Sequence, residues 1–172
     1  SGWGKSSLLA ELNGYSKKSR YWKSRVYTLA VDTRGANTAN YIGLAFKQLI
    51  DKAIRDNFLD IDLFSSDIEI TSPHDVLSSS SVKNLLSVLR RNKKVLVLIF
   101  DQFEDKFRNE PLFEAFHQFC LDVDSLRESL VVGFSWKTEI NIPITSLAYM
   151  KFNQLRDYSY SITIPEFSQN DA

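Results

Sequence analysis

The chain has 172 residues, in which 21 Lys and Arg balance 21 Asp and Glu. This length predicts one domain with a sizeable core, and the charge balance gives no support to nucleic acid or an anionic membrane as the main partner. One cysteine, Cys120, excludes a disulfide framework, and the separated His74 and His117 do not suggest a structural metal site. No apolar run is long enough to cross a bilayer, so we expect a cytoplasmic protein.

The chain opens with the second half of the P-loop pattern G-x-x-x-x-G-K-[ST], in Ser1-Gly2-Trp3-Gly4-Lys5-Ser6-Ser7. Such glycines let backbone N–H groups turn inward onto phosphate oxygens, and the following helix adds its positive N-terminal dipole. These seven residues are therefore predicted to bind a nucleotide, with Lys5 at the β- and γ-phosphates and the Ser6 hydroxyl on Mg²⁺. The alternative is a flexible Gly/Ser turn that caps an amphipathic helix.

A P-loop also needs a strand that delivers the chain into it, and the sequence has no such strand before Ser1. We therefore expect the chain to be a fragment of a longer protein, truncated within the motif. The predicted P-loop core covers residues 1–164, and residues 165–172 begin a following linker or helical segment.

Hydrophobic spacing predicts alternating helices and strands after the loop. Leu8, Leu9 and Leu12 indicate a first helix that stops at Asn13-Gly14, followed by a surface connection over 15–23. The other predicted elements are a strand over 25–32, a helix over 39–57, a helix that starts at Ser72, pauses at 78–81 and ends near 94, a strand over 95–100, a helix from Pro111, a strand over 130–136, a partial helix over 144–158 and a last strand over 160–164. This alternation predicts a parallel sheet with helices on both faces.

The apolar run over 95–100 is typical of a central strand, and it ends in Asp101. A carboxylate at that position is what a P-loop site needs to hold Mg²⁺ opposite Ser6, directly or through water. An ordinary aspartate at a strand end is the alternative. Gln102 and Glu104 come next and are candidates for placing the attacking water, although Glu104 could equally serve as a salt-bridge or helix-start acid.

Four further residues complete the set of candidates. Lys137 ends the following strand, where a cation can neutralise the γ-phosphate, and a solvated lysine is the alternative. Arg156 precedes the last predicted strand, from which a related subunit could receive it as an arginine finger. Arg34 could contact phosphate or pack against Asp32. Cys120 lies on an apolar helix face and is expected in the core.

Two motifs together resemble those of the STAND class of P-loop NTPases, in the AAA+-like branch, and within it the bacterial novel-STAND group linked to signalling and anti-phage defence. They are the opening residues through Leu8 and the run Leu98-Ile99-Phe100-Asp101-Gln102-Phe103-Glu104-Asp105, which fits the family's apolar strand followed by D-Q-F-E. Lys137-Thr138-Glu139-Ile140 would match the family's R-x-D-F, with Lys137 in place of a sensor arginine and without its bidentate fork. The resemblance implies a three-layer α/β P-loop fold with a mostly parallel sheet in the order 5-1-4-3-2, whose first strand precedes Ser1.

The resemblance also implies a function. It implies a switch that binds ATP and Mg²⁺ and hydrolyses slowly, because Gln102 stands where ordinary AAA+ ATPases have Glu. In that class the NTPase domain self-associates when a C-terminal sensor detects a trigger, and an N-terminal effector then acts. The expected partners are therefore ATP, further copies of the domain and other domains of the same chain. A P-loop kinase or other phosphotransferase, a DNA-associated AAA+-type ATPase and a pseudo-ATPase that only binds nucleotide stay open as alternatives.

Overall fold

A three-stranded parallel sheet forms the centre of the protein in the computed structural model, which describes residues 5–60, 76–136, 143–156 and 158–163. The strands are β1 (Val26–Asp32), β2 (Val95–Asp101) and β3 (Leu130–Phe134), and β2 lies in the middle. Predictions for Ser1 to Gly4, for the helix start at Ser72 and for Lys137 fall outside the described residues.

Five α-helices accompany these strands within the described ranges, and they flank the sheet. They are α1 (Lys5–Lys18), α2 (Asn40–Arg55), α3 (Ser80–Arg91), α4 (Glu110–Asp124) and α5 (Leu147–Arg156). The predicted α/β class with a parallel sheet is therefore confirmed. The register aligns the strands closely, since Val26 pairs with Val95 and Asp32 with Asp101.

The core forms where the apolar faces of the helices meet both faces of β2. Leu96, Leu98 and Phe100 are fully buried in this strand, as expected for a central strand. Phe100 packs edge-on against Phe116 of α4, with ring centroids 4.9 Å apart, and stacks on Phe134 of β3 at 5.5 Å. Aromatic contacts of this kind contribute beyond their buried area, so they fix α4 and β3 against the middle strand.

Side-chain caps set the starts of α3 and α4. The hydroxyl of Ser79 accepts a hydrogen bond from the amide of Val82, and Asn109 Oδ1 accepts one from the amide of Leu112. Each cap satisfies one of the backbone donors that a helix leaves unpaired in its first turn. Pro111 lies in the first turn of α4, so the predicted helix start at that proline is confirmed.

The first helix and the last strand differ from prediction. The predicted stop at Asn13-Gly14 is wrong, because α1 continues to Lys18 and includes part of the expected surface connection. A glycine inside a helix costs only about 1 kcal/mol, which the flanking helical residues tolerate. Leu8 and Leu12 are 50% and 42% exposed, so the apolar spacing that predicted the helix does not bury them.

Residues 160–163 belong to no strand, which corrects the prediction of a strand there; Ile164 lies outside the described residues. Tyr160 and Ile162 are 91% and 78% exposed. Alternating apolar residues form a strand only when a neighbouring strand supplies hydrogen bonds, and nothing in the described ranges pairs with these residues.

Candidate functional site

The carboxyl ends of all three strands meet at one edge of the sheet. Asp32 ends β1 directly opposite Asp101, which ends β2. Just beyond β3, the Ser135 amide donates to the Phe100 carbonyl at 2.9 Å, and the Ser135 carbonyl accepts from the Phe103 amide at 2.9 Å. Polar side chains are thereby concentrated here, and we call them the carboxyl-edge cluster: Asp32, Thr33, Asp101, Gln102, Glu104 and Ser135.

A sharp backbone turn positions the carboxylate of Asp101. Gln102 has φ 57° and ψ 50°, in the left-handed region, and its amide donates to Asp101 Oδ1 at 2.9 Å. A non-glycine residue in this region costs on the order of 1–3 kcal/mol, and such strain is concentrated at functional sites. The turn therefore holds one oxygen of a nearly buried carboxylate against the backbone at the end of the middle strand.

Thr33 ties this turn to the neighbouring strand. Its hydroxyl lies 2.6 Å from the carbonyl oxygen of Asp101 and 2.9 Å from that of Gln102. Thr33 is itself completely buried, so water does not compete for these bonds. The ends of β1 and β2 are consequently fixed to each other by a side chain as well as by the sheet.

Arg34 binds Asp32 through a fork of hydrogen bonds. The Arg34 Nε donates to Asp32 Oδ2 at 2.8 Å, the second guanidinium nitrogen pairs with the same oxygen, and the Arg34 amide donates to Oδ1 at 3.0 Å. These side-chain bonds are the main reason why the pKa of Asp32 is lowered. Both side chains are largely exposed, so the pair adds little stability. Of the two predictions for Arg34, packing against Asp32 is the one that this structure contains.

A buried lysine, Lys106, bonds to the backbone next to the carboxyl-edge cluster. Lys106 Nζ donates to the carbonyl oxygens of Arg34 at 3.1 Å and Ala36 at 2.9 Å. The lysine lies on the short 3-10 helix Phe103–Arg108 that follows the Gln102 turn. It thus joins the loop after β1 to the loop after β2, and its positive charge also contributes to the lowered pKa of Asp32.

Two buried polar atoms of the cluster have no hydrogen-bond partner within the described ranges: Glu104 Oε2 and Ser135 Oγ. Nearly all buried polar atoms in native proteins are paired with protein or with ordered water, so an unpaired one needs an explanation. Both atoms belong to segments that the Phe103–Ser135 backbone bond brings together. They are therefore suited to accept a hydrogen bond from a bound water or ligand.

Of the predicted site, the structure describes Asp101, Gln102 and Glu104, which lie together on the stretch that ends β2 and begins the 3-10 helix. Ser7 lies exposed in α1, whereas the side chains of Lys5 and Ser6 fall outside the described part, as do Ser1 to Gly4 and Lys137. Their proposed roles at the nucleotide stay predictions. Among the described residues, no group of three or more His, Cys, Asp or Glu side chains is placed to hold a metal ion. Of the two predicted metal ligands, Ser6 and Asp101, only Asp101 has its side chain within the described part of the chain.

Sequence reasoning missed three residues of this region: Thr33, Lys106 and Ser135. Thr33 follows the predicted strand over 25–32, whereas Ser135 lies inside the predicted strand over 130–136 and follows β3 as observed. Polar side chains at the carboxyl ends of parallel strands are candidates for a binding site. Lys106 lies three residues after the buried Phe103, on the same face of a 3-10 helix that the sequence analysis did not predict.

A second feature is an apolar cavity of about 730 Å³ between α4, β3 and α5. Phe107, Trp136 and Phe152 supply much of its wall, and Arg156 and Cys120 also line it. Burial raises the pKa of the Cys120 thiol to about 12, which agrees with the prediction of a structural residue. In this structure Arg156 lies at the wall of a cavity within its own chain.

Comparisons with known proteins add no identification: no protein-family model matches the chain, and searches of curated proteins and of solved structures find no match. None of the helices in the described ranges has the length and apolar character needed to span a membrane. The STAND resemblance therefore stays a prediction that depends on the two quoted motifs.

Proposed function

We propose that this chain is a P-loop NTPase module that binds Mg²⁺-ATP, hydrolyses it slowly and acts as a self-associating switch within a larger signalling or anti-phage defence protein. The observation that carries the proposal is the carboxylate of Asp101, held at the carboxyl end of the middle strand of a parallel sheet. In open α/β sheets, ligands bind outside the carboxyl ends of the strands.

The position of α1 supports this assignment. The helix packs against β1, and residues 19–25 join its last residue to the start of that strand. A helix connected in this way is expected to run back along the strand. Its span from Lys5 to Lys18 is about 20 Å, close to the length of about 20 Å expected for β1. We therefore expect Lys5 at the same edge of the sheet as Asp101.

The proposed roles follow from that edge. Residues 1–7 would cradle the phosphates, with Lys5 on the β- and γ-phosphates, and Ser6 and Asp101 would hold Mg²⁺ from opposite sides. Glu104 would place or activate the attacking water through its unpaired buried oxygen, and Lys137 would neutralise the γ-phosphate. The Gln102 side chain is a neutral amide and cannot act as a strong base, which fits slow turnover. Its backbone is also strained.

The proposal includes the strand order 5-1-4-3-2 that the resemblance implies. In that order β3, β2 and β1 would be strands 4, 3 and 2, and their observed neighbour relationships are compatible with it. A further strand would then pair with the outer edge of β3, which borders the apolar cavity. The side chains of such a strand would pack against the apolar wall, while its backbone would pair with β3.

Nucleotide binding and phosphate release in the full-length protein test the proposal. Lys5→Ala should abolish Mg²⁺-ATP binding, whereas Glu104→Gln should keep binding and slow phosphate release by about tenfold to a hundredfold. Asp105→Asn and Lys83→Ala are matched controls at exposed positions and should behave like the unaltered protein. Normal ATP binding by Lys5→Ala would contradict the proposal. Sedimentation with a non-hydrolysable analogue then tests nucleotide-dependent assembly.

A further inference from the structure

The balanced net charge of the chain conceals a basic surface at the amino edge of the sheet, opposite the carboxyl-edge cluster. Residues 18–25 and 90–94 lead into β1 and β2, and each segment has four cations and no acid. The Val95 amide donates to the Arg25 carbonyl at 2.7 Å, which joins the two segments. We call them together the basic edge, with the cations Lys18, Arg20, Lys23, Arg25, Arg90, Arg91, Lys93 and Lys94.

Most of these cations are available to a partner. Lys94 is occupied, because its Nζ donates to the Phe58 carbonyl at 2.6 Å and lies over the Phe58 ring, and Arg90 pairs with Glu128. Five others are exposed and have no acidic partner among the residues that the structure describes: Lys18, Arg20, Lys23, Arg91 and Lys93. Such a concentration of unpaired positive charge on one edge attracts a polyanion.

Two aromatic side chains stand among the cations. Tyr21 and Trp22 are 61% and 41% exposed, and their rings meet edge to face with centroids 5.4 Å apart. The Arg25 guanidinium lies 4.9 Å from the centre of the Tyr21 ring and donates to its hydroxyl at 3.2 Å. The Val26 amide donates to the Trp22 carbonyl at 2.8 Å, which closes the turn. The aromatic pair is thus held in place on the surface.

We propose that the basic edge binds single-stranded nucleic acid, with its exposed cations on phosphates and with Trp22 and Tyr21 stacked against bases. Aromatic platforms beside a positively charged track are how proteins bind single strands without reading sequence. An anionic membrane is a poorer match, because residues 18–25 and 90–94 have no aliphatic side chain to insert among lipids. This proposal does not depend on nucleotide binding at the opposite edge.

Fluorescence anisotropy of a labelled single-stranded oligo(dT) with the full-length protein, across a range of KCl concentrations, tests this inference. The pair Arg20→Gln/Lys23→Gln should weaken binding at least tenfold and reduce the slope of log affinity against log salt by about 0.7 for each phosphate that the protein no longer neutralises. Arg91→Gln/Lys93→Asn should do the same; asparagine is chosen because Lys93 has φ 53°. Trp22→Leu should weaken binding about tenfold with the slope unchanged.

The control pair Lys83→Gln/Arg108→Gln removes two exposed cations outside the basic edge and should bind within about twofold of the unaltered protein. An equal loss in this control would overturn the proposal, because the attraction would then be unspecific. Absence of oligo(dT) binding at low salt would also overturn it, as would binding to phosphatidylserine vesicles without binding to oligo(dT). Circular dichroism identifies any variant that does not fold. Because the two charge pairs lie on different segments, the result for one pair tests the proposal even if the other variant does not fold.

Discussion

The Thr33 hydroxyl lies 2.6 Å from the carbonyl oxygen of Asp101, and this hydrogen bond joins the ends of two neighbouring parallel strands from inside the protein. It fixes the backbone from which the Asp101 carboxylate and the strained Gln102 turn both extend. The carboxyl edge is therefore held by a buried side chain as well as by the hydrogen bonds of the sheet. The effect of this hydrogen bond on protein stability can be measured without any nucleotide.

Replacing Thr33 by valine keeps the shape of the side chain and removes the hydroxyl. Two carbonyl oxygens then lose a partner, so we expect unfolding to become easier by about 1–3 kcal/mol. Urea denaturation followed by circular dichroism measures this change. Thr28→Val makes the same substitution at a buried position of β1, the strand that precedes Thr33, and should cost less than half as much. Equal losses of stability in the two variants would show that the Thr33 hydroxyl has no special weight.

Gln102→Gly separates the backbone of the turn from the side chain. Glycine adopts φ 57° without strain, so this variant should match or exceed the unaltered protein in stability, by up to about 1 kcal/mol. Gln102→Val should instead destabilise the protein by more than about 1 kcal/mol, because β-branched residues tolerate this region poorly. Thermal unfolding compares the two variants.

The glycine variant also distinguishes between the two candidates for placing water. If Gln102→Gly leaves phosphate release unchanged while Glu104→Gln slows it, Glu104 is the residue that positions the water. The reverse result would assign that role to Gln102.

Lys106→Met should destabilise the protein by about 1–3 kcal/mol, because the carbonyl oxygens of Arg34 and Ala36 lose their donor. It should also raise the pKa of Asp32, since the Lys106 charge helps to lower that pKa. Carboxyl resonances followed by NMR through an acid titration would show the shift. Lys83→Met alters an exposed lysine and should change neither quantity. An unaltered Asp32 titration in Lys106→Met would contradict the electrostatic link.

His117 predicts a dependence of stability on pH. Burial is the main reason why the pKa of this histidine lies below its ordinary value of 6.5, and the charge of Lys151 acts in the same direction. The unfolded chain therefore takes up the proton first, so stability should fall as the pH drops below about 6.5 and continue to fall until the folded pKa is passed. His117→Gln should flatten this fall, as measured by urea denaturation at several pH values. His74→Gln is the control with the chain's other histidine.

The sequence predicted the secondary structure best where burial dictates the pattern. The run over 95–100 is apolar at every position, and only a strand covered on both faces needs that, so β2 and the place of Asp101 at its end followed directly. The prediction failed at Tyr160 and Ile162, because an alternating pattern does not specify which strand will pair with it. Lys106 was missed because its two acceptors are carbonyl oxygens about 70 residues away in the chain, and backbone acceptors leave no mark in a sequence.

Charge showed the same limitation. Arg20 and Lys93 lie far apart in the sequence. Taken alone, the first run of cations indicated a surface connection and the second the basic end of a helix. Only the parallel pairing of β1 with β2 places the two runs at one edge. A net charge of zero therefore says little about local surfaces in a parallel sheet, whose register can separate charges that cancel in the total.

Gly14 lies inside α1, between the end at Lys5 and the end at Lys18. Apart from its chain neighbours and the backbone of its own helix, no heavy atom of the described residues lies within 4 Å of where its Cβ would be. The helix would connect the proposed nucleotide site to the basic edge, so any effect of one ligand on the other must be reciprocal in free energy. A glycine makes local opening of the helix easier at that point and limits how much of the effect is transmitted. Gly14→Ala would be accommodated without a clash, and by stiffening this connection it should increase the allosteric coupling between the two ends.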